Sequence, residues 1–218
     1  MKMKNTLMII ITAVVFNFGK TQTQAQEIRL NAYSGYSFDD RVNTYYSTSD
    51  YYEGRIEGSY RWGFDAEYLL QQRYGLALNY SRQDTKAPIR YYQIKDRQTT
   101  FDLGIDWITL AGTHYFKVNE TVEPYAGIMG GVAIFNIRNP DSELSQSVTR
   151  FGWGLRMGTN IFFSESLGIK FQADLLSAAQ AVGGGVYFGT GGAGTAVSTY
   201  SSMLQFTLGG GLVYRFGK

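Results

Sequence analysis

The sequence predicts an all-β fold: an eight-stranded antiparallel up-and-down transmembrane β-barrel, preceded by a cleavable signal peptide. Three observations carry that reading. Apolar and polar residues alternate with period two in segment after segment, as in "YRWGFDAEY", Tyr60 to Tyr68. Short and long connections alternate between those segments. The composition, with 26 glycines, 17 tyrosines and 14 phenylalanines against 3 prolines, suits strands better than helices.

The chain opens "MKMKNTLMIIITAVVFNFGKTQTQAQE". Lys2 and Lys4 form a basic start, Leu7 to Phe16 an apolar run, and Thr23 and Ala25 the small residues of a cleavage site between Ala25 and Gln26. Residues 1–25 therefore read as a signal peptide and 26–218 as a single barrel domain. The apolar run is too short to anchor in a bilayer. Cleavage removes Lys2, Lys4 and Lys20 and no acidic residue, so 20 basic residues become 17 against 18 acidic ones. The mature chain is near −1, which removes the electrostatic case for nucleic acid as a partner. With no cysteine there is no disulfide framework, thiolate metal site or thiol nucleophile.

The strands follow in order. After a first strand near 27–38, Tyr60, Trp62, Phe64, Ala66 and Tyr68 face one way and Arg61, Gly63, Asp65 and Glu67 the other. Period two separates these sets, whereas a helix would mix them. "YGLALNYSR" continues with Leu76, Leu78 and Tyr80 opposite Ala77, Asn79 and Ser81. A fourth strand within 99–116 sets Phe101, Leu103, Ile105 and Trp107 on the apolar face against Asp102, Gly104 and Asp106. A fifth lies near 124–136. The sixth alternates Phe151, Trp153, Leu155, Met157 and Ile161 with Gly152, Gly154, Arg156 and Asn160. The seventh alternates Ile169, Phe171, Ala173 and Leu175 with Lys170, Gln172 and Asp174. The last sets Leu204, Phe206, Leu208, Leu212, Tyr214 and Phe216 against Gln205, Thr207 and Arg215. Short connections near 69–73, 117–123 and 164–167 alternate with long ones near 39–56, 84–98, 137–149 and 177–202, which places the short turns at one end of the barrel.

A soluble barrel with an apolar interior would alternate as well. The membrane arrangement is favoured because aromatics gather at strand ends: Tyr60, Trp62, Phe101, Phe151 and Trp153 toward the long loops, and Tyr68, Tyr74, Phe163, Tyr214 and Phe216 toward the turns. The other face carries Arg61, Asp65, Glu67, Asp102, Asp106, Arg156, Lys170, Asp174 and Arg215, too many charges for a dry core. Inside a narrow lumen they can pair as a structural plug. No closing helix is expected after the last strand.

Over residues 26–218 the sequence resembles the OmpA/OmpX-like eight-stranded outer-membrane barrels. The residues that carry the resemblance are the alternating strands, the loop pattern and the ending "GLVYRF", Gly211 to Phe216. The resemblance implies an integral outer-membrane protein in contact with membrane lipid and lipopolysaccharide. It also implies that Tyr214 and Phe216 are aromatic positions of the signal read by the outer-membrane insertion machinery, although Gly217 and Lys218 follow Phe216. A monomer without cofactor or metal is expected. No periplasmic wall-binding domain, and so no wall-tethering role, is expected. One barrel hosts many roles: a non-enzymatic structural or surface-interaction protein comes first, with a lipid A-modifying enzyme or a narrow porin-like channel as alternatives.

Three motifs bear on these roles. "FGTGGAG", Phe188 to Gly194, matches the glycine spacing of dinucleotide-binding folds, but no Asp or Glu follows Asp174 to hold a ribose, and the segment reads as a surface loop. His114 is the only histidine and the one conventional general base; it lies near a turn in "GTHYFKV" with no H-x-S pattern, and reads as an interfacial or lumen histidine. "NTYYSTSDYYEG" and "IRYYQIK" place paired tyrosines in long loops, a composition suited to binding a surface ligand. Carbonate washing should leave the mature chain in the membrane fraction, and heating should change its electrophoretic mobility. Release as a soluble periplasmic protein would indicate a lipocalin-like binder instead.

Overall fold

A computed structural model describes residues 27–45, 51–92, 96–116, 118–140, 145–178, 185–189, 192–196 and 203–216. Eight strands form the wall: β1 (Glu27–Ser37), β4 (Ser59–Leu70), β5 (Tyr74–Tyr92), β6 (Asp96–Tyr115), β7 (Val122–Arg138), β8 (Ser145–Phe162), β9 (Leu167–Ala178) and β12 (Met203–Phe216). Each pairs antiparallel with its sequence neighbours in the wall, and β1 pairs with β12 to close it. Paired Cα positions traced around the wall from Glu27 pass Leu69, Gly75, Thr113, Gly127, Arg156, Asp174 and Thr207 and return to β1 at Ser37, ten residues above the start. That stagger tilts the strands by roughly 40° and leaves a lumen that side chains fill.

The short connections all lie at one end, and each has its own turn chemistry. Arg73 N–H donates to Leu70 O at 3.1 Å across a turn whose central residues, Gln71 and Gln72, have φ of 51° and 56°. Two successive positive φ values match the twist of a hairpin but favour Asn-Gly over glutamine. At the next turn, Asn119 Oδ1 accepts from the backbone N–H of Thr121 (2.9 Å) and Val122 (2.7 Å). At the third, Ser164 Oγ accepts from Leu167 N–H at 2.9 Å.

The long connections contain more structure than expected. β5 and β6 remain paired up to Tyr92 and Asp96, and β7 and β8 up to Arg138 and Ser145. A hairpin of β2 (Asp40–Tyr45) and β3 (Tyr51–Ile56) occupies the first long connection, and β3 adds to the upper edge of β5. The last holds a second hairpin, β10 (Gly185–Gly189) with β11 (Gly192–Ala196). A sheet thus continues above the wall on the β5–β8 side, while β4 and β9 stop lower. These extensions carry polar outward positions such as Arg82, Asp84 and Lys86, so their strands lack the apolar alternation that marks the wall.

The outer wall is apolar along most strands. Ile28, Leu30, Leu76, Leu110, Ile128, Leu155 and Leu212 are among the exposed residues, with Leu155 at 43%. Tyr60, Trp62, Phe151 and Trp153 flank this band toward the long connections, and Phe163, Tyr74, Tyr214 and Phe216 toward the turns. The interior has two storeys. The half nearer the turns is charged. The half nearer the long connections is a packed apolar cluster of Phe101, Leu103, Ile105, Trp107, Ala133, Ile137, Leu176 and Met203, against which Ile56 packs. Gly154 faces this cluster, beside Leu176 and Met129, and not a polar lumen.

The upper half of β6 corrects the sequence reading. Phe101, Leu103, Ile105 and Trp107 point inward, at 0–4% exposure, so Phe101 is not part of the outer girdle. Asp102 is exposed on the outer side, and Asp106 sits on the outer wall, where it accepts from Tyr80 (2.8 Å), Arg82 (3.1 Å) and Asn136 (2.9 Å). This stretch stands at and above the rim of the apolar band. Water and headgroups can solvate carboxylates there, and the same hydrophobic effect that sends leucines outward lower down sends these side chains inward.

Strand coiling sets the glycine content. A Cβ on Gly158 would lie 2.0 Å from Phe171 O, and one on Gly211 2.0 Å from Ala32 O. Gly158→Ala should therefore lower the heating midpoint for loss of compact mobility. Leu155→Arg should cost about 2–4 kcal/mol, because it puts a cation against hydrocarbon; urea titration of barrels refolded in lipid measures it. Exchanging Gln71-Gln72 for Asn-Gly should stabilise by roughly 1 kcal/mol or more by relieving two left-handed residues.

Candidate functional site

Among the described residues, ten charged side chains line the lower lumen, five cationic (Arg29, Arg61, Arg156, Lys170, Arg215) and five anionic (Glu27, Asp65, Glu67, Glu123, Asp174). Period two places them there: each alternates with a lipid-facing residue, as Arg29 does with Ile28 and Leu30. Arg156 on β8 is the hub. Its Nε donates to Asp174 Oδ1 at 3.0 Å, Nη1 to Asp65 Oδ2 at 3.3 Å, and Nη2 to Tyr33 Oη and Asn79 Oδ1, both at 3.3 Å. Its guanidinium also stands over the Tyr33 ring. Arg61 reaches across from β4 to Asp174, which also accepts from Gln172 at 2.8 Å. Asn31 donates to Asp65, and Lys170 lies 4.0 Å from the same carboxylate.

A second cluster closes the turn end. Glu123 bridges Arg29 at 2.9 Å and Arg215 at 3.0 Å, and Glu27 contacts both arginines. Tyr115 donates to Glu67 at 2.6 Å. The Arg29 guanidinium stacks on Tyr115, and that of Arg215 on Phe162. A charge in low dielectric is costly unless paired, and matched charges on facing strands meet that demand. The geometry yields a neutral, cross-braced plug. Asp65, Glu67, Arg156 and Lys170 come together as expected, whereas Asp102 and Asp106 stay outside. Glu27, Arg29, Glu123 and the tyrosines 33, 115 and 125 were missed, although "EIRLNAY" already alternates in phase.

The other singled-out residues are dispersed. His114 lies on the outer wall at the turn end, its ring 4.9 Å from that of Tyr74 and 4.6 Å from that of Phe116. Tyr214 and Phe216 face outward at the same end, edge to face at 4.7 Å, opposite Leu30 and Ile28 of β1. "FGTGGAG" falls in the β10–β11 hairpin, where Gly189 pairs with Gly192 and Gly194 with Tyr187, so strand leads to strand and not to a helix; Gly191 lies outside the described residues. Ala25 and Gln26 lie outside them too. At the far end, the register sets Tyr45 opposite Tyr51 and Tyr51 opposite Tyr92, and in the adjacent row Tyr52 opposite Tyr91.

Arg156→Leu should leave Asp65 and Asp174 with too few partners and destabilise by about 3–5 kcal/mol. Arg156→Leu combined with Asp174→Leu should cost less than the two single changes added together. Denaturant titration of the four barrels in lipid measures both.

No protein-family model matches the sequence, and no curated protein matches it. Solved structures do. Neisserial surface protein A is 15% identical, with 87% of this chain and 97% of that chain covered and a TM-score of 0.54. OprG from Pseudomonas aeruginosa is 11% identical, covering 89% and 97%, at 0.55. A major outer membrane protein from Thermus thermophilus is 14% identical, covering 88% and 100%, at 0.50. All three are outer-membrane or surface proteins by name. In fold, the chain is a closed eight-stranded antiparallel β-barrel similar to these outer-membrane and surface proteins.

Proposed function

We propose that the protein is a non-enzymatic surface-interaction barrel whose recognition element is the sheet above the wall. The observation that carries this reading is the register of five tyrosines on three separate strands, with Tyr45, Tyr51 and Tyr92 in one row and Tyr52 and Tyr91 in the next, so that both faces of the sheet carry them. Tyrosine supplies a large amphipathic contact area at small entropic cost, and backbone pairing holds these five in fixed register. The long connections stand opposite the end where β1 begins, β12 ends and the short turns lie, so the sheet projects outside the cell when that end faces the periplasm. In this reading the wall contacts outer-membrane lipid and lipopolysaccharide, Tyr214 and Phe216 engage the insertion machinery, and the protein acts as a monomer.

The alternatives have less support. His114 lies at the turn end between Tyr74 and Phe116, a barrel length from the leaflet that holds lipid A. The plug and the apolar cluster above it fill the path a solute would take.

The test is binding of the purified barrel in nanodiscs to immobilised glycan and peptide arrays. Wild type should bind a ligand class that a variant with all five tyrosines changed to serine binds at least tenfold more weakly, while the variant keeps its heat-modifiable mobility. Equal binding by both would sink the reading. Lipid A mass spectra should be the same with wild type and His114→Ala. An acyl change that needs His114 would replace it with the enzymatic alternative.

A further inference from the structure

The upper edge of the apolar band is not level around the barrel. Strand tilt shifts a level plane by about 1.25 residues per strand relative to the pairing register, so outward positions on different strands can be compared by height. Arg82 of β5 and Asp106 of β6 face each other in the register on the outer wall. Close to their height, β4 presents Tyr60, β7 Val132, β8 Phe151, β12 Phe206 and β1 Tyr36, all 36–73% exposed. Asp84, whose side chain is 65% exposed, lies two positions above Arg82, level with Phe38 and Leu204. Apolar cover on β5 and β6 thus ends at Tyr80 and Ile108, roughly three residues, or about 8 Å of height, below its end on β8, β12 and β1. The lower edge does not drop to match, because Tyr74 of β5 stands no lower than Phe216 of β12. Leaning the whole barrel would not level such a band. Its β5–β6 side is shorter.

The polar groups in this gap differ in what they need. Asp106 is largely enclosed, accepting from Tyr80, Arg82 and Asn136. The other branch of Arg82 donates to Asp84 at 2.7 Å, which leaves the three charges with a net −1 and most of the Asp84 carboxylate open. Hydrocarbon that rose to Phe206 and Tyr36 on every side would cover the Arg82–Asp106 pair and strip water from Asp84, and an exposed carboxylate in hydrocarbon is costly. Lipid is the neighbour that every strand of the wall shares, and bilayers meet a short apolar span by thinning locally, at modest cost per ångström. We propose that the β5–β6 face draws the headgroups and water of the adjoining leaflet down to Arg82, Asp84 and Asp106, thinning the hydrocarbon beside it, while the leaflet keeps its full thickness against β8, β12 and β1. The partner of this patch is the polar lipid surface itself. The base of the β5–β6 hairpin is then set in headgroups instead of hydrocarbon. The inference rests on the membrane placement of the wall and is independent of the tyrosines above it.

Ile108 and Tyr36 provide the test, being 43% and 41% exposed and within about a quarter of a residue of one height. The chain has no cysteine, so Ile108→Cys and Tyr36→Cys each give a single attachment point for a nitroxide. The labelled barrels are reconstituted in dimyristoylphosphatidylcholine nanodiscs. Power saturation then measures collision with oxygen, which concentrates in hydrocarbon, and with a water-soluble nickel chelate. The nickel-to-oxygen ratio should be about threefold or more higher at position 108 than at position 36. Equal ratios overturn the proposal, whether both labels report hydrocarbon or both report water. Adding Arg82→Leu, Asp84→Leu and Asp106→Leu should lower the ratio at position 108 to that at position 36, with heat-modifiable mobility showing that the barrel has folded. A ratio at position 108 that stays high in that folded variant also overturns it, since the charges would not be what thins the leaflet. If the variant does not fold, the two labels in the otherwise native barrel decide.

Discussion

Everything in this molecule follows from the demand that no backbone N–H or C=O meet hydrocarbon without a partner. A sheet satisfies that demand only by closing on itself, and here closure is the pairing of β1 with β12 from Ile28–Phe216 to Ser37–Thr207. With eight strands the circumference is small, so the strands coil tightly. Carbonyls approach neighbouring Cα atoms closely enough to require glycine at Gly158 and Gly211. The narrow interior that results has to be filled, and the same alternation that coats the outside with leucine and phenylalanine fills it with polar side chains. The plug is thus a product of closure as much as a feature in its own right.

The rim of the apolar band divides the chain into two regimes. Below it, outward means apolar and inward means charged. Above it the outer surface is wet, and the pattern inverts on β6, with Trp107 and Ile105 inside and Asp106 outside. The inversion gives the extension above the wall a small hydrophobic core of its own. That core holds the continued β5–β8 sheet to the barrel beneath it.

Much of this was legible from residues alone. The faces of β4, β8, β9 and β12 follow from strict alternation, and the outward aromatics at both ends from their spacing. The inversion of β6 was not legible, since Phe101 to Trp107 alternate as cleanly as any lipid-facing strand and nothing local marks where the bilayer ends. Neither was the partner choice in the lumen: Arg156 meets Asp65, 91 positions away, and Asp174, 18 away, through barrel curvature that no local pattern encodes. The Gln71-Gln72 turn carries no glycine or asparagine to announce its left-handed backbone. The upper hairpins were hidden because polar strands in water look like loops.

The equal count of charges in the lumen also bears on how such a chain can drift over generations. A lipid-facing leucine can become valine, isoleucine or phenylalanine one at a time, because hydrocarbon asks only for apolar surface. An interior charge has no such freedom. Loss of Asp174 takes a carboxylate from Arg61 and Arg156 at once, and loss of Glu123 takes one from both Arg29 and Arg215. Changes inside must therefore come in compensating sets, and the wall and the lumen of one strand, separated by a single residue step, should accumulate substitutions at very different rates.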